Sequence, residues 1–78
     1  MVEQIPIERH EVYTTGVTKS RGFELDGEMH GQWEFYRLDG SLMRSGEFDR
    51  GTQIGVWRTY ARDGRLVKET TFGPDQSA

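Results

Sequence analysis

One stretch of this chain is written twice, and that repeat limits the folds available to it. The first copy, residues 27–48, reads GEMHGQWEFYRLDGSLMRSGEF, and the second, residues 51–72, reads GTQIGVWRTYARDGRLVKETTF. Eight residues of the first copy recur 24 positions later. They are Gly27, Gly31, Trp33, Tyr36, Asp39, Gly40, Leu42 and Phe48. Unrelated sequences would share about one or two residues over such a window, so we expect the two copies to fold alike and to pack side by side.

Each copy has the pattern of a β-hairpin. The runs QWEFYR and VWRTYA are short and rich in aromatic and β-branched residues, as strands are. Asp39 and Gly40 follow the first run, and Asp63 and Gly64 follow the second. Asp-Gly favours a two-residue type I′ turn, which needs positive φ at both positions. We therefore predict that these four residues are structural turn residues, each pair closing one hairpin.

A two-residue loop fixes which residues lie opposite each other. The predicted pairs of the first copy are Leu38 with Ser41, Tyr36 with Met43, and Trp33 with Gly46. One face then carries Trp33, Phe35, Leu42 and Phe48 from the first copy and Trp57, Ala61, Leu66 and Phe72 from the second. Gly46 leaves room for the Trp33 indole to lie over bare backbone. On the other face Arg58 and Glu69 form an opposite-charge pair, which contributes about 0.2–1 kcal/mol.

Residues 7–25 have the pattern of a degenerate first copy. Shifting the repeat back by one period aligns Gly16 and Gly22 with repeat glycines, whereas Arg9 takes the place of a tryptophan. Terminal repeats commonly lose part of the consensus in this way. We predict a hairpin here with its turn at Thr15 and Gly16. The segments DGEMHG and DRGTQIG are predicted to be tight connections between hairpins.

The predicted fold is all-β: a single-layer antiparallel meander of about six strands, built from three hairpin repeats of which the first is degenerate. The 78 residues form one domain, and residues 73–78 are predicted to be a polar, disordered tail. No stretch keeps apolar residues at helical spacing for three turns. Only 33% of the residues are hydrophobic, and more than a third of these are aromatic, so the core has to be thin and aromatic.

Charge and hydropathy argue against several classes of partner. Ten Lys and Arg residues against thirteen Asp and Glu residues give a net charge of −3, with both signs scattered along the chain. Nucleic acids and anionic membranes are usually bound through a basic face, which this pattern lacks. No apolar run reaches the roughly 20 residues that cross a bilayer, and the start MVEQIPIERHE has no signal-peptide pattern. We expect a soluble cytoplasmic protein.

The sequence has no motif for catalysis, a cofactor or a metal. No nucleophile stands beside a base, and the glycines occur singly at repeat spacing rather than in a phosphate-binding loop. His10 and His30 are the only histidines, cysteine is absent, and no paired carboxylates surround them at ligand spacing. We therefore expect surface histidines, no cofactor and no enzymatic activity.

Five aromatic residues are the candidates for a partner-binding site: Trp33, Phe35, Tyr36, Trp57 and Tyr60. Two interpretations compete. In the first, these residues form the core of a thin sheet, because aromatic side chains carry most of the burial in small β proteins. In the second, they form an aromatic platform, because a single layer leaves its apolar face partly uncovered and such a surface marks binding or self-association.

The pattern G-x-W-x-x-Y-x-x-D-G-x-L resembles the MORN repeat, and more closely its bacterial variant. It is carried by Gly31, Trp33, Tyr36, Asp39, Gly40 and Leu42, and again by Gly55, Trp57, Tyr60, Asp63, Gly64 and Leu66. The resemblance implies a hairpin-repeat fold with no catalytic residues of its own. Members of the family are associated with scaffolding, with membrane-proximal proteins and with toxin–antitoxin pairs, and the bacterial variant is commonly described as antitoxin-like.

The leading functional hypothesis is protein–protein interaction. The aromatic sheet face or an edge strand would bind a protein partner, a second copy of the chain included. The resemblance implies an alternative, an antitoxin that neutralises a toxin by direct binding. A lipid- or glycan-binding module is a third hypothesis, and it would use Trp33 and Trp57.

Overall fold

A computed structural model describes residues 5–73, which form one antiparallel sheet and no helix. The strands are β1 (Ile7–Val12), β2 (Thr18–Leu25), β3 (Glu28–Tyr36), β4 (Leu42–Asp49), β5 (Thr52–Tyr60) and β6 (Leu66–Phe72). Their order in the sheet is their order in the chain, and the described part measures 44 × 31 × 12 Å. The predicted all-β, single-layer meander is confirmed, including the hairpin expected at residues 7–25. Apart from Gly73, the predicted tail lies outside the described residues.

Two-residue turns connect one hairpin to the next. Asp26 and Gly27 join β2 to β3 with φ values of 54° and 81°, and Arg50 and Gly51 join β4 to β5 with 49° and 90°. Positive φ at both positions is the geometry of a type I′ turn, which suits the twist of antiparallel strands. The tight connections expected from DGEMHG and DRGTQIG are therefore present. Because residues 5–73 form no helix, they contain none long and apolar enough to cross a membrane.

Within each hairpin the loop has three residues, so the predicted two-residue loop is wrong. In the second hairpin the Gly40 amide donates to the Arg37 carbonyl at 2.9 Å, and the Arg37 amide donates to the Ser41 carbonyl at 2.9 Å. Asp39 explains the difference, because its carboxylate accepts from the Ser41 amide at 2.9 Å and closes a local turn. Only Gly40 then needs positive φ, at 90°. Equivalent backbone bonds close the first and third hairpins.

An extra residue in β4 compensates for the extra residue in the loop. Trp33 pairs with Gly46, as predicted, but Tyr36 pairs with Leu42 rather than with Met43. Met43 is the additional residue, and it forms a bulge that restores the register of the rest of the strand. The hydrophobic pattern therefore predicted the register of the strand centres correctly and the loop length incorrectly.

The predicted sheet face is confirmed for its aromatic residues and not for its leucines. Leu42 pairs with Tyr36, and Leu66 pairs with Tyr60. The two leucines therefore share a face with the tyrosines and not with the tryptophans. On the opposite face Arg58 pairs with Glu69 as predicted, and Arg58 Nε lies 3.0 Å from Glu69 Oε2. This ion pair is exposed on both sides, so it contributes about 0–1 kcal/mol to the free energy of unfolding.

Each tryptophan lies over a glycine of the preceding strand. A Cβ added to Gly22 would overlap the Trp33 indole, and one added to Gly46 would overlap the Trp57 indole. Each indole N–H also donates to the carbonyl one residue past that glycine, at 2.8 Å for Trp33 and 3.1 Å for Trp57. The prediction that Gly46 makes room for Trp33 is therefore wrong. Each glycine accommodates the tryptophan of the next hairpin, because the indole reaches back across the strand pair that joins two hairpins.

These tryptophans are the centre of the core. The side chains of Trp33 and Trp57 are 3% and 4% exposed, and Leu25 is 7% exposed. Each outer hairpin lacks one of the two residues that make this contact. The first hairpin has Arg9 at the tryptophan position, and the third has Thr70 at the glycine position. Two tryptophan-on-glycine contacts therefore join three hairpins.

The hairpins are also tied along the edge that carries their three-residue loops. Residues 13 and 37 occupy equivalent positions, and both donate to the carbonyl of a tyrosine in the next hairpin. The Tyr13 hydroxyl donates to the Tyr36 carbonyl at 2.8 Å, and Arg37 Nη2 donates to the Tyr60 carbonyl at 2.6 Å. These bonds fix the rotation of one hairpin relative to the next, because they lie at one end of the strands while the indoles lie near the middle.

Replacing the glycine beneath a tryptophan tests this packing. We expect Gly46→Ala to lower the free energy of unfolding by about 1–3 kcal/mol, because the added methyl group overlaps the Trp57 ring and not a flexible chain end. Thr70→Ala is the matched control at the equivalent position of the third hairpin, and it should change stability by less than about 0.5 kcal/mol. Urea unfolding followed by tryptophan fluorescence measures both values. Equal effects of the two substitutions would contradict this account of the core.

Candidate interaction surface

Four aromatic rings form a continuous cluster on one side of the sheet, which we call the Trp face. Trp33 stacks on Phe35 with ring centroids 5.9 Å apart, and Phe35 stacks on Trp57 at 6.2 Å. Phe48 meets both tryptophans edge-on, at 6.3 Å from Trp33 and 5.0 Å from Trp57. These distances are favourable for aromatic pairs, each worth about 0.5–1.5 kcal/mol beyond the area it buries. The four rings therefore pack on one another as one continuous surface.

The two tryptophans are the floor of this surface, and the two phenylalanines are its accessible part. With 3% and 4% of their side chains exposed, Trp33 and Trp57 have almost no area left for a partner. Phe35 and Phe48 are half-buried and lie between the two indoles. A partner that binds the Trp face would therefore contact the phenylalanine rings, whose positions the tryptophans fix.

Arg44 lies above the aromatic cluster. Its guanidinium carbon is 5.1 Å from the centroid of Phe35 and 5.3 Å from that of Trp57, within the range of a cation–π contact. Arg44 pairs with Thr59 across the strands, and Thr59 pairs in turn with Lys68. Two cations therefore lie on the Trp face, one on each side of Thr59. Sequence reasoning missed both, although the repeat contained the signal, since Arg44 and Lys68 stand 24 positions apart.

Two shallow hollows on the Trp face flank the cluster and differ in charge. The hollow over β4 to β6, of about 250 Å³, is lined by Arg44, Gln53, Trp57, Thr59, Lys68, Thr70 and Phe72. The hollow over β1 to β3, of about 160 Å³, is lined by Arg9, Glu11, Lys19, Ser20, Glu24, Met29, Trp33 and Phe35. The first lining has two cations and no carboxylate, whereas the second mixes both signs and contains an Arg9–Glu24 ion pair at 3.6 Å. The β4–β6 half is thus the more positive.

The five aromatic candidates from the sequence do not form one site. Trp33, Phe35 and Trp57 lie together on the Trp face, whereas Tyr36 and Tyr60 alternate onto the opposite face. The separation follows from the period-2 alternation of strands, because the tyrosine stands three residues after the tryptophan in each copy. The Asp-Gly pairs lie in the loops at one edge of the sheet, as turn residues.

Tyr36 is part of a polar network on the opposite face. Its hydroxyl donates to Glu34 Oε1 at 2.7 Å, and Arg21 Nε lies 3.7 Å from the same oxygen. Burial, the hydrogen bond to Glu34 and the charge of that carboxylate raise the pKa of Tyr36 above its ordinary value of 10.0, against a smaller lowering by Arg21. The phenol therefore acts as a hydrogen-bond donor at neutral pH.

The histidines take part in local contacts and not in a shared site. His10 Nε2 is 2.9 Å from the Thr18 hydroxyl on the neighbouring strand. His30 Nδ1 accepts from the Arg50 amide at 3.2 Å and lies 3.8 Å from Asp49 Oδ1. Among residues 5–73, no three side chains of the metal-ligating types cluster in a way that would hold an ion.

A comparison with protein-family models, with curated proteins and with solved structures finds no match to this chain. The resemblance to the MORN repeat therefore depends on the repeated residues alone, and the family assignment stays a prediction.

The raised pKa of Tyr36 predicts how stability changes at alkaline pH. A phenol with a raised pKa stabilises the folded state fully below pH 10.0, and this contribution is lost as the pH rises through the folded-state pKa. The free energy of unfolding should therefore fall less steeply above pH 10 in Tyr36→Phe than in the wild type. Urea unfolding at a series of alkaline pH values measures the slopes. Tyr60→Phe is the control, since it removes one tyrosine equally, and identical slopes for the wild type and Tyr36→Phe would refute the assignment.

Proposed function

We propose that this chain is a non-enzymatic protein–protein interaction module that binds a partner through its Trp face. One observation carries the proposal: a packed four-ring aromatic cluster lies on a sheet over which residues 5–73 place no second layer. Single-layer sheets normally need a cover for their apolar face. A partly exposed aromatic patch with a polar surround is typical of an interaction surface.

Phe35 and Arg44 are the proposed contact residues. Aromatic and arginine side chains contribute most at the centres of protein interfaces, because they combine large contact area with directed polar groups. The Phe35 ring is held between Trp33 and Trp57, so little side-chain entropy remains to be lost on binding. Arg44 is exposed, and its guanidinium lies over the cluster, where a partner would contact both groups together.

The charge of the surface supports a partner with acidic residues. Arg44 and Lys68 both line the hollow over β4 to β6, and that lining contains no carboxylate. A complementary partner segment would present Asp or Glu to these cations and an apolar side chain to Phe35. Such charge complementarity gives orientation and speeds association, while the apolar contact supplies affinity.

The two other functional hypotheses from the sequence also remain proposals. The antitoxin is a narrower form of the protein–protein interaction proposed above, and the lipid- or glycan-binding module is a separate function. An antitoxin would use the same surface to bind a toxin, and co-expression with the product of a neighbouring gene would test it through rescue from toxicity. If the chain is a lipid- or glycan-binding module, the addition of liposomes or polysaccharides should change its tryptophan fluorescence.

A charge reversal on the Trp face tests the proposed function. Affinity capture from the source cells with the wild-type chain as bait should retain a protein that Arg44→Glu retains at least about tenfold less, since the reversal repels an acidic partner. Arg65→Glu is the matched control, because it makes the same charge change at the residue that follows the third loop. Phe35→Ala should also weaken retention, and circular dichroism checks that every variant folds. Equal retention by Arg44→Glu and Arg65→Glu would contradict binding through the Trp face.

A further inference from the structure

We propose that copies of this chain associate head to tail, with β6 of one copy pairing antiparallel to β1 of the next. Both strands are edges of the sheet, and each has one hydrogen-bonded neighbour within the described residues. Unpaired strand edges are templates for another strand. The proposal concerns the edges of the sheet and goes beyond the function proposed for the Trp face.

The strand directions of the repeat permit this contact. Strands β1, β3 and β5 run one way and β2, β4 and β6 run the other, since every neighbouring pair is antiparallel. Placing β6 beside β1 of a second copy therefore reproduces the arrangement of β4 beside β5. The Trp faces of both copies then lie on the same side, so the joined sheets form one larger sheet.

The register within the chain gives the register between copies. Inside the chain β4 and β5 pair Arg44 with Thr59 and Ser45 with Arg58. Each residue of β6 lies 24 positions after its equivalent in β4, and each residue of β1 lies 48 positions before its equivalent in β5. The same register between copies therefore places Lys68 opposite Glu11 and Glu69 opposite His10. The next pair in this register is Thr70 with Arg9.

The pairing continues without a bulge because β1 lacks a repeat glycine. In β5 the register breaks at Gly55, whose φ is 71°, and Ile7 holds the equivalent position in β1. Pairing of β1 with β2 is regular through this part of the strand. A regular register between copies then gives five pairs, which begin after Val67, the bulged residue of β6 and the equivalent of Met43. They are Lys68 with Glu11, Glu69 with His10, Thr70 with Arg9, Thr71 with Glu8, and Phe72 with Ile7.

In this register the two edges are complementary at both ends. Phe72 meets Ile7 at one end, and the opposite charges of Lys68 and Glu11 meet at the other. Val12, Val67 and Ile7 are 53%, 60% and 64% exposed in the single chain, so the contact would cover apolar area that is now open to water. Opposite charges directly across a strand pair are stabilising, and like charges are destabilising.

Pairing an edge with itself is unfavourable in the registers that are centred on a charged residue. Antiparallel pairing of β6 with β6, centred on either charged residue, places Lys68 opposite Lys68 or Glu69 opposite Glu69. Centring β1 on Arg9 likewise places two guanidinium groups opposite each other. Pairing β6 with β1 avoids these repulsions and leaves one unpaired edge at each end, so it extends to chains of copies rather than stopping at a dimer.

The junction between copies also replaces the contact used inside the chain. Where β4 meets β5, the Trp57 indole lies over Gly46. At the junction Arg9 takes the place of the tryptophan and Thr70 takes the place of the glycine. The flexible Arg9 side chain, which carries N–H donors, therefore faces Thr70, whose side chain an indole would overlap. No bulky ring has to be accommodated, and the contact depends on strand pairing and charge.

A charge swap tests the proposal. Sedimentation velocity over a range of concentrations should show wild-type species larger than a dimer, which dissociate at high salt because the paired charges are exposed. Lys68→Glu and Glu11→Lys should each weaken association by about tenfold or more, and the double variant Lys68→Glu/Glu11→Lys should restore it. Arg44→Glu should leave association unchanged, which separates this contact from the Trp face.

Cysteine pairing tests the register. The chain has no cysteine, and residues directly opposite in antiparallel strands are close enough for a disulfide. A mixture of Arg9→Cys and Thr70→Cys chains should yield cross-linked dimers containing one chain of each kind. A wild type that stays monomeric at every concentration, a species that stops at a dimer, or disulfides mainly between identical variants would overturn the proposal. Any of these outcomes leaves binding through the Trp face to be decided by its own experiment.

Discussion

The packing of each tryptophan on the glycine of the preceding strand is the contact on which the rest of this structure depends. A single sheet has no second layer to bury its side chains. Its core therefore has to form between side chains and backbone of neighbouring strands in the same sheet. Trp33 and Trp57 achieve this by lying flat over Gly22 and Gly46. Each indole N–H also bonds a backbone carbonyl of the strand it covers, so one side chain supplies both apolar contact and orientation.

This arrangement separates the residues that hold the sheet from those that are free to recognise a partner. The tryptophans are repeated and buried, so they cannot make one hairpin different from another. Residues that differ between the copies are the ones near the surface, such as Phe35 against Thr59 and Arg44 against Lys68. In the proposed interaction, specificity would come from the residues at which the copies differ, while the repeated tryptophans beneath them stay the same.

The period of the sequence predicted the strands, the register of their centres and the aromatic residues of the Trp face, but it predicted neither the loop length nor the glycine that each indole covers. The three-residue loop shifts the pairing by one residue and the Met43 bulge shifts it back, so a two-residue loop without a bulge would give the same pairing of Trp33 with Gly46. Strand pairing also does not say which neighbouring strand an indole covers. The separation of Tyr36 from Trp33 was predictable, since three residues along a strand reverse the face.

The residues on the two edge strands explain why a contact between one sheet and another cannot use the packing of tryptophan on glycine. Arg9 replaces the tryptophan and Thr70 replaces the glycine, so the packing that joins hairpins cannot continue across either edge. What remains at those edges is a backbone ladder with charged side chains. Such contacts are weaker and more sensitive to salt than a buried indole. The same substitutions that end the internal core thus leave any association at the edges reversible, while the three hairpins stay joined.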